Sequence, residues 1–146
     1  MTREEVLARL HSPNFADLCN RHTIGLAVLF GSMAKGGDTP KSDIDLAVSL
    51  DKSPERQEGS ETAYARIALM NDVMGCLQTS RMDLVILNHA DSLLRFEIAR
   101  TGKPVYEAAA GAFADFCSLA VRQHEDSKVF YEAMDRYLAR TVERGV

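Results

Sequence analysis

The sequence has few cysteines and no long hydrophobic run. Its three cysteines, Cys19, Cys76 and Cys117, are far apart and form no Cys-x-x-Cys pair, so we predict free thiols and neither a zinc site nor a redox site. No segment approaches the ~18 consecutive apolar residues that a membrane-spanning helix needs. The first residues include two acids and no apolar core, so we expect no signal peptide, no membrane association and a cytoplasmic location.

The chain also lacks a block of basic residues. Its 17 Lys and Arg residues are outnumbered by 21 Asp and Glu residues, for a formal net charge of −4, which argues against direct binding of extended nucleic acid. The hydrophobic content of 46% and charged content of 26% are those of an ordinary globular protein. A length of 146 residues predicts a single domain, with a core at about 24–106 and a C-terminal helical segment at about 110–143.

Apolar runs of strand length alternate with stretches of helical periodicity. The predicted strands are 24–30, 43–48, 81–87 and a short edge strand at 105–106. The predicted helices are 2–11, 62–77, 90–101 and 112–142, the last as one helix or two. Turn-forming residues at 36–42 and polar residues at 51–60 predict loops. We therefore predict an α/β (α+β) fold with a small mixed sheet flanked by helices and a helical C-terminal segment.

The predicted C-terminal helical segment carries an apolar stripe around Phe130, Met134 and Tyr137. A stripe of this kind buries itself either against its own domain or against a partner. We expect it to pack on the domain's own sheet; the alternative is a surface that binds the helices of a partner protein.

The most informative segment combines Gly31-Ser32 with Asp43 and Asp45, and ten residues separate Ser32 from Asp43. Because strand side chains alternate between faces, both aspartates are predicted on one side of a strand, with Ile44 turned into the core. Two close carboxylates repel each other unless a cation lies between them, and hard oxygen ligands suit Mg²⁺. A glycine after a buried strand permits a tight turn into a short helix whose N–H groups, with the Ser32 hydroxyl, bind phosphate.

Two further residues complete the predicted site. Asp83 lies in the strand at 81–87 and, if that strand is beside the first two aspartates, it reaches the same metal or acts as a general base. Lys35 follows the Gly-Ser turn and supplies a positive charge to the phosphates, and Gly36-Gly37 ends the turn. Taken singly, each of these residues is more often a solvent-exposed side chain, and it is their order and spacing together that favour a metal–phosphate site.

This pattern resembles the signature of the nucleotidyltransferases of the DNA polymerase β type: Gly31-Ser32, Asp43 and Asp45, then a third acid, here Asp83. It is most similar to the minimal nucleotidyltransferases, the small stand-alone antitoxins of HEPN/MNT toxin–antitoxin systems, over about 24–106. Where that group commonly has arginines after Gly-Ser, this chain has Met33 and Lys35. This difference alters nucleotide binding, because lysine cannot form the paired hydrogen bonds that the planar arginine guanidinium makes with a phosphate.

The resemblance implies transfer of AMP from ATP to a tyrosine of a cognate HEPN RNase toxin, with two Mg²⁺ ions. Asp43, Asp45 and Asp83 would be catalytic and bind metal, while Gly31, Ser32 and Lys35 would bind the nucleotide. None of the four histidines carries the HEPN sequence pattern, so the chain is expected to be the antitoxin. Its shortness leads us to expect that a partner supplies the acceptor.

Two alternatives remain at this stage. One is an antitoxin that acts by steric binding alone, although three converging carboxylates are costly on a surface without catalysis. The other is a nucleotidyltransferase acting on small molecules such as aminoglycosides, which usually needs an added domain or a dimer to form the acceptor pocket.

Overall fold

The computed structural model describes residues 1–36, 42–51 and 60–143, so the predicted loop residues 37–41, among them Gly37, and 52–59 lie outside the described residues. The helices are α1 (Arg3–Leu10), α2 (Pro13–Arg21), α3 (Ser32–Lys35), α4 (Ser60–Leu77), α5 (Ser92–Thr101) and α6 (Ala112–Glu143). The strands are β1 (Ile24–Phe30), β2 (Ile44–Leu50), β3 (Met82–Ile86) and β4 (Lys103–Glu107).

The four strands form one sheet in the order β3-β2-β1-β4. Strand β1 pairs antiparallel with both β2 and β4, whereas β2 and β3 are parallel. A parallel pair needs a crossover, and α4 supplies it between β2 and β3. The predicted small mixed sheet flanked by helices is therefore confirmed.

Most predicted elements are present, and one helix was not predicted. Thr2 followed three residues later by Glu5 predicts a capping box at the start of α1. It is present, with Thr2 and Glu5 each bonded to the other's backbone N–H. The unpredicted helix is α2, whose N-cap is Ser12 and whose first residue is Pro13, a common arrangement at helix starts. The C-terminal segment is one helix, α6, rather than two.

One face of the sheet is covered by α1, α2 and α4. Alternate residues of β2, Ile44, Leu46 and Val48, are buried there together with Phe15 of α2. The helical spacing of Ile67, Met70, Val73 and Leu77 predicts that they form one buried stripe on α4. This prediction is partly wrong, because Ile67 is 55% exposed. Its place in the core is taken by Leu69, which packs with Val73 and Leu77.

The opposite face is covered by α5 and α6. Ile98 of α5 and Phe116 of α6 pack with Val28 and Ala47, which point away from the first core. Asp43, Asp45 and Ala47 are each two residues apart along the strand. Since alternate strand residues point to the same side, both aspartates lie on this second face with Ala47. Asp43 is exposed and Asp45 is partly exposed, which shows that the helices do not close over this end of the sheet.

The C-terminal half of α6 extends past the rest of the domain. Phe130, Met134 and Tyr137 are 58%, 40% and 66% exposed. The prediction that this stripe packs on the chain's own sheet is therefore wrong. The stripe follows Ser127, which bonds to Ser92 in the first turn of α5, and its residues belong to neither of the two cores formed by the described residues.

Two predicted absences can be compared with the structure. In the described part of the chain, no helix has both the length and the apolar character needed to cross a membrane. All three cysteines are free, as predicted. Burial raises the pKa of the Cys19 thiol to about 12, with a smaller contribution from Cys76, so this thiol is a core residue without nucleophilic character.

We predict that Leu46→Ala lowers the free energy of unfolding by about 2–5 kcal/mol, because it removes a fully buried side chain from the central strand pair. The matched control is Leu138→Ala, which truncates a leucine that is 52% exposed and is expected to change stability by less than about 0.5 kcal/mol. Urea unfolding measures both variants. Equal losses would contradict the assignment of Leu46 to the core.

Candidate active site

The site begins at Gly31, between the end of β1 and the start of α3. Its φ of 75° and ψ of −157° form a backbone conformation that glycine adopts and L side chains rarely do. A Cβ at this position would also collide with the Asp45 carboxylate, at Oδ2. Gly31 therefore lets the chain turn while the carboxylate of the neighbouring strand lies against its Cα.

The turn continues into α3, a single helical turn that starts at Ser32. No side chain caps its N-terminus. Its C-terminus is closed by Gly36 in the left-handed conformation, with φ of 82°, whose N–H donates to the Ser32 carbonyl. This confirms the predicted short helix and the stop at Gly36.

Lys35 is exposed at the C-terminal end of α3. Hydrogen bonding to Arg100 lowers the pKa of Glu97 on α5, and the charge of Lys35 lowers it further. The Lys35 ammonium is therefore close enough to Glu97 of α5 for their charges to interact. Along the chain, Lys35 lies one helical turn after the Gly31-Ser32 turn.

Three aspartates lie at the starts of β2 and β3. Asp45 is opposite Phe30 of β1 on one side and opposite Asp83 of β3 on the other. Asp43 precedes Asp45 by two residues on the same face, while Ile44 between them is buried. The structure thus brings together the three acids and the Gly31-Ser32 turn, as the sequence predicts.

The acids affect each other electrostatically. Burial raises the pKa of Asp45, and the negative charges of Asp83 and then Asp43 raise it further. Asp43 has a partial counter-charge, because Arg81 Nε lies 3.5 Å from its Oδ1. Asp45 is therefore a carboxylate whose charged form is destabilised until a cation arrives.

The donor set fits Mg²⁺ bound together with a nucleotide. Within the described ranges, no three Asp, Glu, His or Cys side chains are close enough to form a preformed metal cage. Mg²⁺ at phosphate sites is usually held by one or two carboxylates, with water and phosphate oxygens completing its coordination. Asp43, Asp45 and Asp83 are oxygen donors of this kind, and a cation beside Asp45 would offset the burial and the negative charges that raise the pKa of its carboxyl.

Two arginines near the site were not singled out from the sequence. In the parallel pair β2 and β3, Ile44 is opposite Met82, so the residues before them, Asp43 and Arg81, face each other. Writing the two strand sequences side by side, with Asp45 opposite Asp83, would have predicted this contact. Arg3 on α1 donates hydrogen bonds to carbonyls of α3. No local pattern connects Arg3 with residues 33–34.

Comparison with known proteins shows a family match. Residues 14–110 match the family described as Polymerase beta, Nucleotidyltransferase. A protein adenylyltransferase, MntA, from Aphanizomenon flos-aquae is 31% identical over 94 residues, which is 62% of this chain and 62% of that protein. The match thus spans less than two thirds of that relative.

Solved structures show the same fold. A toxin–antitoxin structure with AMP-PNP matches with a TM-score of 0.66 and 21% identity, covering 86% of this chain and 96% of the other. A structure of the tri-AMPylated Shewanella oneidensis HEPN toxin in complex with MNT antitoxin matches with a TM-score of 0.62 and 20% identity, covering 89% and 97%.

We predict that Gly31→Ala is more destabilising than Gly36→Ala. Both glycines have positive φ, but an added Cβ meets the Asp45 carboxylate only at Gly31, and at Gly36 nothing lies within 4 Å. The overlap is expected to cost about 1–3 kcal/mol beyond the strain that both variants share. Thermal unfolding measures the difference, and equal shifts would show that Asp45 does not lie against Gly31.

We also predict that Asp45→Asn raises the free energy of unfolding near pH ~7 in metal-free buffer. Because its pKa is raised in the folded state, the folded protein holds the Asp45 proton more tightly than the unfolded chain does. The wild-type protein therefore loses stability as the pH rises from the ordinary aspartate pKa through the raised one. The variant lacks this loss.

Urea unfolding at about pH 4 and about pH 7 tests this sign. Asp17→Asn, at an exposed aspartate of α2, is the matched control and is expected to show no such gain. A wild type that is more stable than Asp45→Asn at the higher pH would contradict the electrostatic account.

Proposed function

The chain belongs to the polymerase beta nucleotidyltransferase family, and on this premise we propose that it transfers AMP from ATP to a tyrosine hydroxyl of a HEPN-type RNase toxin. The modification neutralises the toxin, so the chain acts as its antitoxin. The observation that carries the proposal is the contact between the Gly31 turn and the Asp45 carboxylate. It joins a phosphate-binding turn to a metal-binding carboxylate in one site.

The acids have separate roles in this proposal. Asp43 and Asp45 would hold Mg²⁺ together with phosphate oxygens, and Asp83 would contribute a further oxygen ligand, with two ions as the expected number. When bound, the ions neutralise phosphate charge and orient the triphosphate. Asp83 lies beside Asp45 on the neighbouring strand, and it accepts the proton of the attacking hydroxyl.

The reaction is a displacement at the α-phosphorus of ATP. The tyrosine oxygen forms a bond to this phosphorus, the bond to the bridging oxygen breaks, and pyrophosphate leaves. Ser32 donates its hydroxyl to the phosphates, and Gly31 lets the turn that binds them lie against the Asp45 carboxylate. Lys35, exposed at the end of α3, supplies a positive charge to the phosphates. Catalysis is then mainly positioning and charge neutralisation, as in phosphoryl transfer generally.

The choice of substrate and partner rests on the relatives. MntA of Aphanizomenon flos-aquae is named a protein adenylyltransferase, and the matched complexes contain AMP-PNP or an AMPylated HEPN toxin. The acidic end of the sheet in this chain is open to solvent at Asp43 and Asp83, so the acceptor tyrosine can be presented by another protein. Because the reaction consumes ATP, we propose that it occurs in the cytoplasm.

We predict that incubation with ATP, Mg²⁺ and a cognate HEPN-type toxin adds AMP to that toxin, measured as an intact-mass increase. The double variant Asp43→Ala/Asp45→Ala is expected to lower the rate by about a thousandfold or more, because it removes the metal ligands. Glu4→Ala/Asp17→Ala removes two exposed carboxylates from α1 and α2 and is the control that keeps activity.

The same variants distinguish catalysis from steric neutralisation. In cells that express the toxin, loss of protection by the Asp43→Ala/Asp45→Ala variant supports the enzyme, and full protection supports steric binding. No mass increase on the toxin, together with turnover of small hydroxyl compounds, would replace the proposal with a small-molecule nucleotidyltransferase.

A further inference from the structure

Helix α3 is short, so each of its backbone carbonyls needs a partner from nearby. The Gly31 carbonyl accepts from the Lys35 N–H, and the Ser32 carbonyl accepts from the Gly36 N–H. The carbonyls of Met33 and Ala34 come next, in the last turn, where a helix has no further N–H groups of its own to offer. A helix of one turn has almost no stability by itself.

These two carbonyls accept hydrogen bonds from Arg3 of α1. Its Nε lies 2.6 Å from the Met33 oxygen, and its Nη2 lies 3.3 Å from the Ala34 oxygen. Both bonds are partly buried, and their donor is charged, which makes them stronger than bonds between neutral groups. The two donors belong to one planar guanidinium, so they fix the direction of α3 as well as its distance.

Arg3 is itself well anchored. It is the first residue of α1, directly after the N-cap Thr2, which forms a capping box with Glu5. Further along the same helix, Val6 and Leu10 are buried in the core beneath the sheet. The guanidinium therefore extends from a rigid helix, and a rigid donor transmits position to the group that it binds.

We propose that Arg3 is a positioning residue for nucleotide binding. By holding the Met33 and Ala34 carbonyls, it fixes α3 and so keeps Ser32 and Lys35 in place beside the three aspartates. The Gly31–Asp45 contact sets one end of this turn, and Arg3 sets the other. This inference rests on the proposed function, because it assumes that Ser32 and Lys35 bind the phosphates of ATP.

The test compares Arg3→Ala with Arg9→Ala. Arg9 lies on the same helix, and its Nη1 donates to the Leu77 carbonyl at 3.4 Å. Leu77 ends α4, on the face of the sheet that α1, α2 and α4 cover. Each substitution removes an arginine of α1 that bonds to a backbone carbonyl, but only Arg3 bonds to α3. Calorimetric titration with Mg²⁺ and a non-hydrolysable ATP analogue measures affinity, and unfolding midpoints report the effect on the fold.

We expect Arg3→Ala to weaken nucleotide binding by about tenfold, because α3 then holds Ser32 and Lys35 less firmly and each phosphate contact weakens. We expect it to raise KM for ATP more than it lowers kcat. Arg9→Ala is expected to leave affinity within about twofold of the wild type. Arg3→Lys keeps one charged donor without the planar fork, so we expect it to restore part of the affinity. It also serves if Arg3→Ala fails to fold.

Other outcomes overturn the inference. One such outcome is that Arg3→Ala and Arg3→Lys bind the nucleotide as tightly as the wild type does. Another is that Arg9→Ala weakens nucleotide binding as much as Arg3→Ala does. Either result would show that Arg3 contributes only to the fold, and the proposed function would stand. A wild-type chain that binds no Mg²⁺–nucleotide would overturn the proposed function, and the role of Arg3 with it.

Discussion

The contact between the Asp45 carboxylate and the Cα of Gly31 is the interaction on which the site depends. It arises because β1 and β2 are antiparallel and Phe30 is paired with Asp45, so the turn after β1 begins beside the acid. Gly31 allows this approach because it has no side chain and accepts a positive φ. Without the contact, the acids and the Gly-Ser turn would be two separate features of the sheet.

The sheet separates stability from function. The face covered by α1, α2 and α4 carries a continuous apolar core that includes Leu46. On the other face, α5 and α6 cover Val28 and Ala47 but leave the acidic end accessible. Burial, and then the negative charges of Asp83 and Asp43, raise the pKa of Asp45, so its charged form is locally unfavourable in the folded protein. The large core on the opposite face compensates for this local cost. Such local destabilisation is common where residues are selected for activity.

Sequence reasoning succeeded where the information was local. Strand periodicity and the Gly-Ser and Asp-x-Asp spacing predicted the mixed sheet and the placing of Asp45 beside the turn. Sequence reasoning failed where the burial of a residue depends on which other element packs against it. Helical periodicity shows that the α6 stripe around Phe130 is apolar, but not whether anything covers it, and it wrongly placed Ile67 in the core. The contacts of Arg3 and Arg81 depend on how separate elements pack, and no short pattern encodes them.

The central claim is that three strand aspartates and the Gly-Ser turn form one Mg²⁺–nucleotide site. A crystal structure of the chain with Mn²⁺ and a non-hydrolysable ATP analogue tests it most directly, because anomalous scattering locates the metal. The account predicts metal at Asp43 and Asp45, with the triphosphate on Ser32. A nucleotide bound elsewhere, or metal that binds away from these carboxylates, would contradict it.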